Sequence, residues 1–151
     1  MSTQGNKPTR IKIGIRIFVN HVSGERLWEI DKPIPPQMQI ALNVNVLGIE
    51  KRSDETLDAP FVFTVNFTPS IAQINIKGKA QASGDRNEIN KILLEYEEKK
   101  SPPVPLVQAI SNASMAEAIL ISKTIGVPPP LPSIGPPQPN VQQKQDGRYT
   151  A

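Results

Sequence analysis

FVFTVNFTPSIAQINIKGKA, residues 61–80, decides the fold. Apolar side chains fall at Phe61, Phe63, Val65 and Phe67, with Val62, Thr64 and Asn66 between them. Successive side chains of a strand point to opposite faces, so this alternation is a strand with one apolar face. Thr68-Pro69-Ser70 has turn chemistry. Beyond it Ala72, Ile74 and Ile76 alternate with Gln73, Asn75 and Lys77, and the pattern continues to Ala82. Two such runs joined by a short Pro-containing turn make an antiparallel hairpin. Three of the four phenylalanines share one face of it. That face is either core or a platform on which bases stack. No RNP-type motif accompanies it and two helical segments follow that could cover it, so core is the reading taken.

Downstream the period changes from 2 to 3.6. Asp85 with Glu88 three residues later has capping-box spacing. The helix it opens carries Ile89, Ile92, Leu93 and Tyr96 on one face, and Pro102, Pro103 and Pro105 stop it. A second helix is expected from about residue 106 to 125, with Val107, Ile110, Ser114, Ala118, Ile121 and Ile125 as its apolar stripe. Glu117 and Lys123 are its only charges, too few for a helix with one side in water. It therefore reads as a core helix or one side of a subunit interface. Gly126 and Val127 suit a Schellman ending. Pro128 to Pro132 should be polyproline II, with Leu131 and Ile134 able to pack back on the domain.

Upstream, Met38, Ile40, Leu42, Val44 and Val46 alternate with polar residues, and Leu47 and Ile49 invert the phase around Gly48, as a β-bulge would. Residues 50–59 read as a polar loop. Ile11, Ile13, Ile15, Ile17 and Val19 form a further strand. His21-Val22-Ser23-Gly24 reads as a turn leading to a short strand at 26–30, which makes a hairpin over 10–30. The chain thus divides into a disordered basic leader at 1–9, one domain at 10–134 and a disordered Pro-rich tail at 135–151. The fold class is α+β: an antiparallel sheet with two helices on one face.

Composition restricts the chemistry. In 151 residues there is no cysteine and one histidine, His21. Disulfides, thiolate metal sites and cysteine nucleophiles are excluded. No Walker loop, G-x-S-x-G elbow or H-E-x-x-H is present, and the sequence suggests no acid or nucleophile beside His21. A non-enzymatic protein without a cofactor is expected. No segment reads as a membrane span or secretion signal, which implies a cytoplasmic protein without membrane insertion. The net charge is +3, and residues 1–20 alone carry Lys7, Arg10, Lys12 and Arg16 with no acid. These cations, with Phe18 beside them, are either a solvated surface or a site for RNA phosphates.

The order hairpin, NEINKILLEYEEKK (87–100), Pro-rich joint, LVQAISNASMAEAILISKTIG (106–126), VPPPLPSI (127–134) resembles archaeal proteins related to the bacterial export chaperone SecB. The resemblance covers about residues 38–134 and is best at 61–132. It implies a sheet of about four strands, a homodimer or homotetramer with the long helix in the interface, and a chaperone that holds unfolded polypeptides in apolar grooves. Leu47, Ile49, Val62, Tyr96, Leu131 and Ile134 fall off the main core stripes and are the candidates to line such a groove. Bacterial SecB is strongly acidic whereas this chain is basic. The reversal favours contact with the ribosome or rRNA, through Lys7, Arg10, Lys12, Arg16 and Phe18, as an alternative function.

Overall fold

The computed structural model describes residues 13–131. Five strands, β1 (Gly14–Arg26), β2 (Gln39–Val46), β3 (Glu50–Ser53), β4 (Thr56–Thr68) and β5 (Ala72–Ser83), precede two helices, α1 (Arg86–Lys99) and α2 (Val104–Ile125). The sheet is antiparallel throughout, in the order β1-β5-β4-β2, with β3 also on β4. This is the expected α+β class. The leader at 1–9 and the tail at 135–151 lie outside the described residues.

The β4–β5 hairpin forms the centre of the sheet. Leu57, Ala59, Phe61, Phe63, Val65 and Phe67 of β4, with Ala72, Ile74, Ile76, Ala80 and Ala82 of β5, are buried on one face. The phenylalanine row is core. Burying a side chain of this size contributes about 1.5–3 kcal/mol, so the row is a main source of stability.

The hairpin expected over 10–30 does not form. β1 is one strand of 13 residues that pairs with β5 from Gly14↔Ser83 to Arg26↔Ala72. His21-Val22-Ser23-Gly24 lies inside it. Val19 pairs with Gly78 and His21 with Lys77, which leaves Asn20 as an extra residue. This bulge resets the phase. Ile15, Ile17 and Val19 face the helices before it, whereas Val22, Gly24 and Arg26 do so after it. Gly78 sits opposite the bulge because nothing larger fits. A Cβ there would fall on the Phe18 carbonyl oxygen, 2.9 Å from Phe61 Cζ and 3.0 Å from Val19 Cα. Gly24 is likewise a packing glycine and not a turn. A Cβ there would stand 2.8 Å from Ile121 Cγ1 of α2.

The polar loop expected at 50–59 is instead a tight hairpin. β3 has all four residues exposed, which explains its loop-like composition. The irregularity read at Gly48 is present: Leu47, Gly48 and Ile49 stand opposite only Ala59 and Pro60. Ile49 turns into the core as a result.

α1 starts where the capping box placed it, with the Asp85 carboxylate accepting from the Glu88 N–H at 3.0 Å. Ile89 and Ile92 are its buried residues, and Ile92 packs with Leu57, Ala82 and Leu106 at one end of the sheet. α2 begins at Val104, after Pro103. It packs mainly on β1 and β5 through Leu106, Ile110, Ser114, Ala118 and Ser122, spaced four apart. Its end is the expected Schellman motif, with Val127 N–H donating to Ser122 O and Gly126 N–H to Lys123 O. Arg26 covers the same terminus, its Nη1 donating to Gly126 O at 2.7 Å and to Ile125 O at 3.3 Å. Val127 and Pro130 fold back and are buried.

By length and composition α2 is apolar enough to cross a bilayer, which differs from the reading that no segment is; 22% of the qualifying 18-residue window is buried in the fold.

Candidate polypeptide-binding surface

α2 lies over β1 and β5, so the β2 edge of the sheet is the less covered one. Ile40, Leu42, Val44 and Val46 stand directly opposite Phe67, Val65, Phe63 and Phe61, on the same face. Val65 has no exposed surface, yet its neighbour Leu42 is 45% exposed, and Ile40, Val44 and Val46 are half-buried. The other edge of β2 has no partner strand among the described residues. An apolar row thus runs beside a line of unpaired backbone donors and acceptors. An extended peptide satisfies both by adding as a strand.

The link from β1 to β2 borders this row. Those strands lie on opposite edges, so residues 27–38 must cross the end of the sheet. Leu27 and Trp28 donate their N–H groups to Ile71 O at 2.8 and 3.2 Å, and Trp28 Nε1 donates to Pro33 O at 3.1 Å. Arg26 tightens the start of the link, with Nε donating to Trp28 O at 2.9 Å and Nη2 to Glu29 O at 3.3 Å. Ile34 and Met38 pack against the core, while Leu27 and Ile30 project outward, Ile30 at 84% exposed. Arg26 to Ile30 line a shallow depression of about 340 Å³.

α2 offers another unoccupied apolar surface. Ala109, Ala113, Ala116 and Leu120 follow a 4-3-4 spacing away from the buried row; Ala116 is exposed and Leu120 is 62% exposed. Such spacing suits packing against a second helix.

The residues marked from sequence are scattered. Leu47 is 59% exposed at the end of β2, next to the open row. Ile49 is sealed in the core, Val62 is half-buried on the helix-free face, and Tyr96 is half-buried on α1. Leu131 is exposed after α2, and Ile134 lies outside the described residues. The structure does not gather them into one surface. The row on β2 was missed because Ile40, Leu42, Val44 and Val46 have an ordinary core alternation. Their exposure depends on how far α2 reaches across the sheet.

Of the basic set, Arg16 and Phe18 sit together on the helix-free face, with the guanidinium 5.2 Å from the ring centroid. Lys7, Arg10 and Lys12 lie outside the described residues. His21 Nε2 is 3.2 Å from Ser23 Oγ, a neighbour hidden from the sequence by the turn reading. On the same face, burial raises the Asp58 pKa. Hydrogen bonds from Arg52 and Gln81, with the Lys79 charge, outweigh that and hold the carboxyl below its usual range. Asp54 is also held low, by the Lys51 hydrogen bond and the Arg86 and Lys51 charges.

No family profile and no curated protein matches the chain. Among solved structures the fold is similar to a SecB-like chaperone of Mycobacterium tuberculosis, solved in complex with a ChAD peptide from the HigA1 antitoxin. The TM-score is 0.55 at 10% identity, over 82% of this chain and 90% of that one. At that identity the likeness establishes a SecB-like fold.

Proposed function

We propose that this protein is a non-enzymatic chaperone that holds extended apolar segments of non-native polypeptides along β2. One observation carries the reading: on the inner face of β2 Leu42 is exposed and Ile40, Val44 and Val46 are only half-buried, beside a β4 row that is fully sealed. The SecB-like fold and the peptide bound by the mycobacterial neighbour support it. The crossing link with Trp28, Ile34 and Met38 bounds the surface at one end and Leu47 at the other. In this reading the protein works as a homodimer or homotetramer, with Ala109, Ala113, Ala116 and Leu120 of α2 packed against a second copy.

The test is suppression of aggregation of a denatured reporter enzyme diluted from urea. Wild-type protein suppresses light scattering, and Leu42→Asp abolishes most of that activity while leaving the fold intact. Wild-type protein without effect at molar excess refutes the reading, as does a fully active Leu42→Asp. Sedimentation of Ala116→Glu/Leu120→Glu, expected to be a monomer, tests the assembly separately.

A further inference from the structure

The helix-free face of the sheet is polar, basic and unclaimed by the polypeptide reading, which uses the opposite face. Across β1 and β5 the register sets Arg16 opposite Gln81, Phe18 opposite Lys79, His21 opposite Lys77, Ser23 opposite Asn75 and Glu25 opposite Gln73. All of these project from the face that α2 does not cover. We propose that this face binds a single-stranded polynucleotide, with phosphates on Arg16, Lys77 and Lys79 and a base stacked on Phe18.

Three observations converge on that ligand. The first is an aromatic side chain with no apolar neighbour row to explain it. Phe18 is 42% exposed on a polar face, with the Arg16 guanidinium over its ring. A guanidinium–aromatic pair is a stacking platform for a planar base. The second is charge. Among the described residues Arg16 and Lys77 have no carboxylate within ion-pair distance, whereas Lys79 shares Asp58 with Arg52. Glu25 lies at the far end of the strand, away from Arg16. The third is a depression of about 330 Å³ on the same two strands, lined by Ser23, Gly24, Glu25, Gln73 and Asn75. Its hydroxyl, its amides and the Glu25 carboxylate are donors and acceptors of the kind that read base edges. A duplex keeps its bases stacked inside and cannot use Phe18. A polyglutamate meets the cations but carries no aromatic ring to stack on Phe18. An unpaired strand satisfies the charge and the aromatic together.

The test is fluorescence anisotropy with labelled oligouridylate and oligothymidylate of about 20 nucleotides. Competitors are a duplex RNA and a polyglutamate. Three neutralised phosphates predict an affinity loss of about twentyfold from roughly 50 to 200 mM salt. Arg16→Glu/Lys77→Glu should abolish binding, and Phe18→Ala should weaken it about tenfold. Lys77→Gln, which only removes a charge, carries the test if the double reversal unfolds. Preference for the uridylate identifies RNA, and equal binding identifies single strands of either sugar. Absence of binding at low salt overturns the proposal. So does equal affinity for duplex or polyglutamate, or full retention in the charge variants. Aggregation suppression by the same variants stays at the wild-type level, so the two faces fail or succeed independently.

Discussion

Gly78→Ala adds one methyl group at the tightest point of the sheet. Its Cβ would meet the Phe18 carbonyl oxygen and stand 3.0 Å from Val19 Cα, both backbone atoms of the bulged strand. Backbone cannot rotate away as a side chain can. The remaining neighbour, Phe61 Cζ at 2.9 Å, belongs to a ring that is 1% exposed and has nowhere to move. Overpacking of this kind costs about 1–3 kcal/mol, and the β1–β5 pairing must open for the methyl to enter. Against that, Ala restricts the unfolded chain more than Gly and returns about 0.5–1 kcal/mol. The expected net loss is about 1 kcal/mol. With a urea slope of about 2 kcal/mol/M, the midpoint falls by about 0.5 M. Gly14→Ala is the internal control, on the paired strand β1 with nothing within 4 Å of its added Cβ. It should leave the midpoint unchanged or raise it slightly. Both variants are unfolded by urea at one fixed protein concentration, followed by circular dichroism. Equal midpoints for the two alanines refute the account of the bulge.

Arg26→Ala removes four hydrogen bonds to carbonyls of the crossing link and the α2 terminus, and should cost about 2–3 kcal/mol in urea unfolding. Faster amide exchange at the end of α2 is its local signature, and unchanged exchange there argues against the role. Ser114 and Ser122 bury hydroxyls that have no hydrogen-bond partner. Ser114→Ala or Ser122→Ala should raise stability by about 0.5–1.5 kcal/mol, and a loss on thermal melting would contradict that accounting. Asp58 has its pKa lowered from 3.8, so its stabilisation is present above that value and disappears as pH falls through the folded pKa. The stability gap between wild type and Asp58→Asn should therefore shrink on acidification below about pH 4. A gap that stays constant with pH refutes the ion-pair assignment.

Much of the fold is written locally. The β4–β5 hairpin, the Asp85 cap and the Gly126-Val127 ending follow from short-range rules, and all three occur as read. The differences arise where the tertiary surroundings, distant partner or solvent, select residues that imitate local signals. Gly24 and the polar residues around it look like a turn, yet Gly24 is small because Ile121 presses on it from about a hundred positions away. Glu50–Ser53 looks like a loop because both faces of that edge strand meet solvent. The candidate site was less legible for the same reason. Nothing in residues 40–46 tells that α2 lies mainly over β1 and β5, toward the other edge of the sheet. Phe18 and Arg16 could be read, because alternation puts them together on one side of a single strand. Lys77 and Asn75 join them only through the β1–β5 register.

That register also sets a schedule for synthesis. Gly14 pairs with Ser83, about seventy residues later in the chain, which is a wait of roughly 4–14 s at usual elongation rates. Through that interval Ile15, Ile17 and Val19 have neither their strand partner nor the helix that covers them. Among the described elements α2 is made last, after every strand of the sheet that it packs on. The apolar face of β1 is therefore made early and covered late, so its exposure during synthesis is set by the length of chain between Gly14 and Ser83.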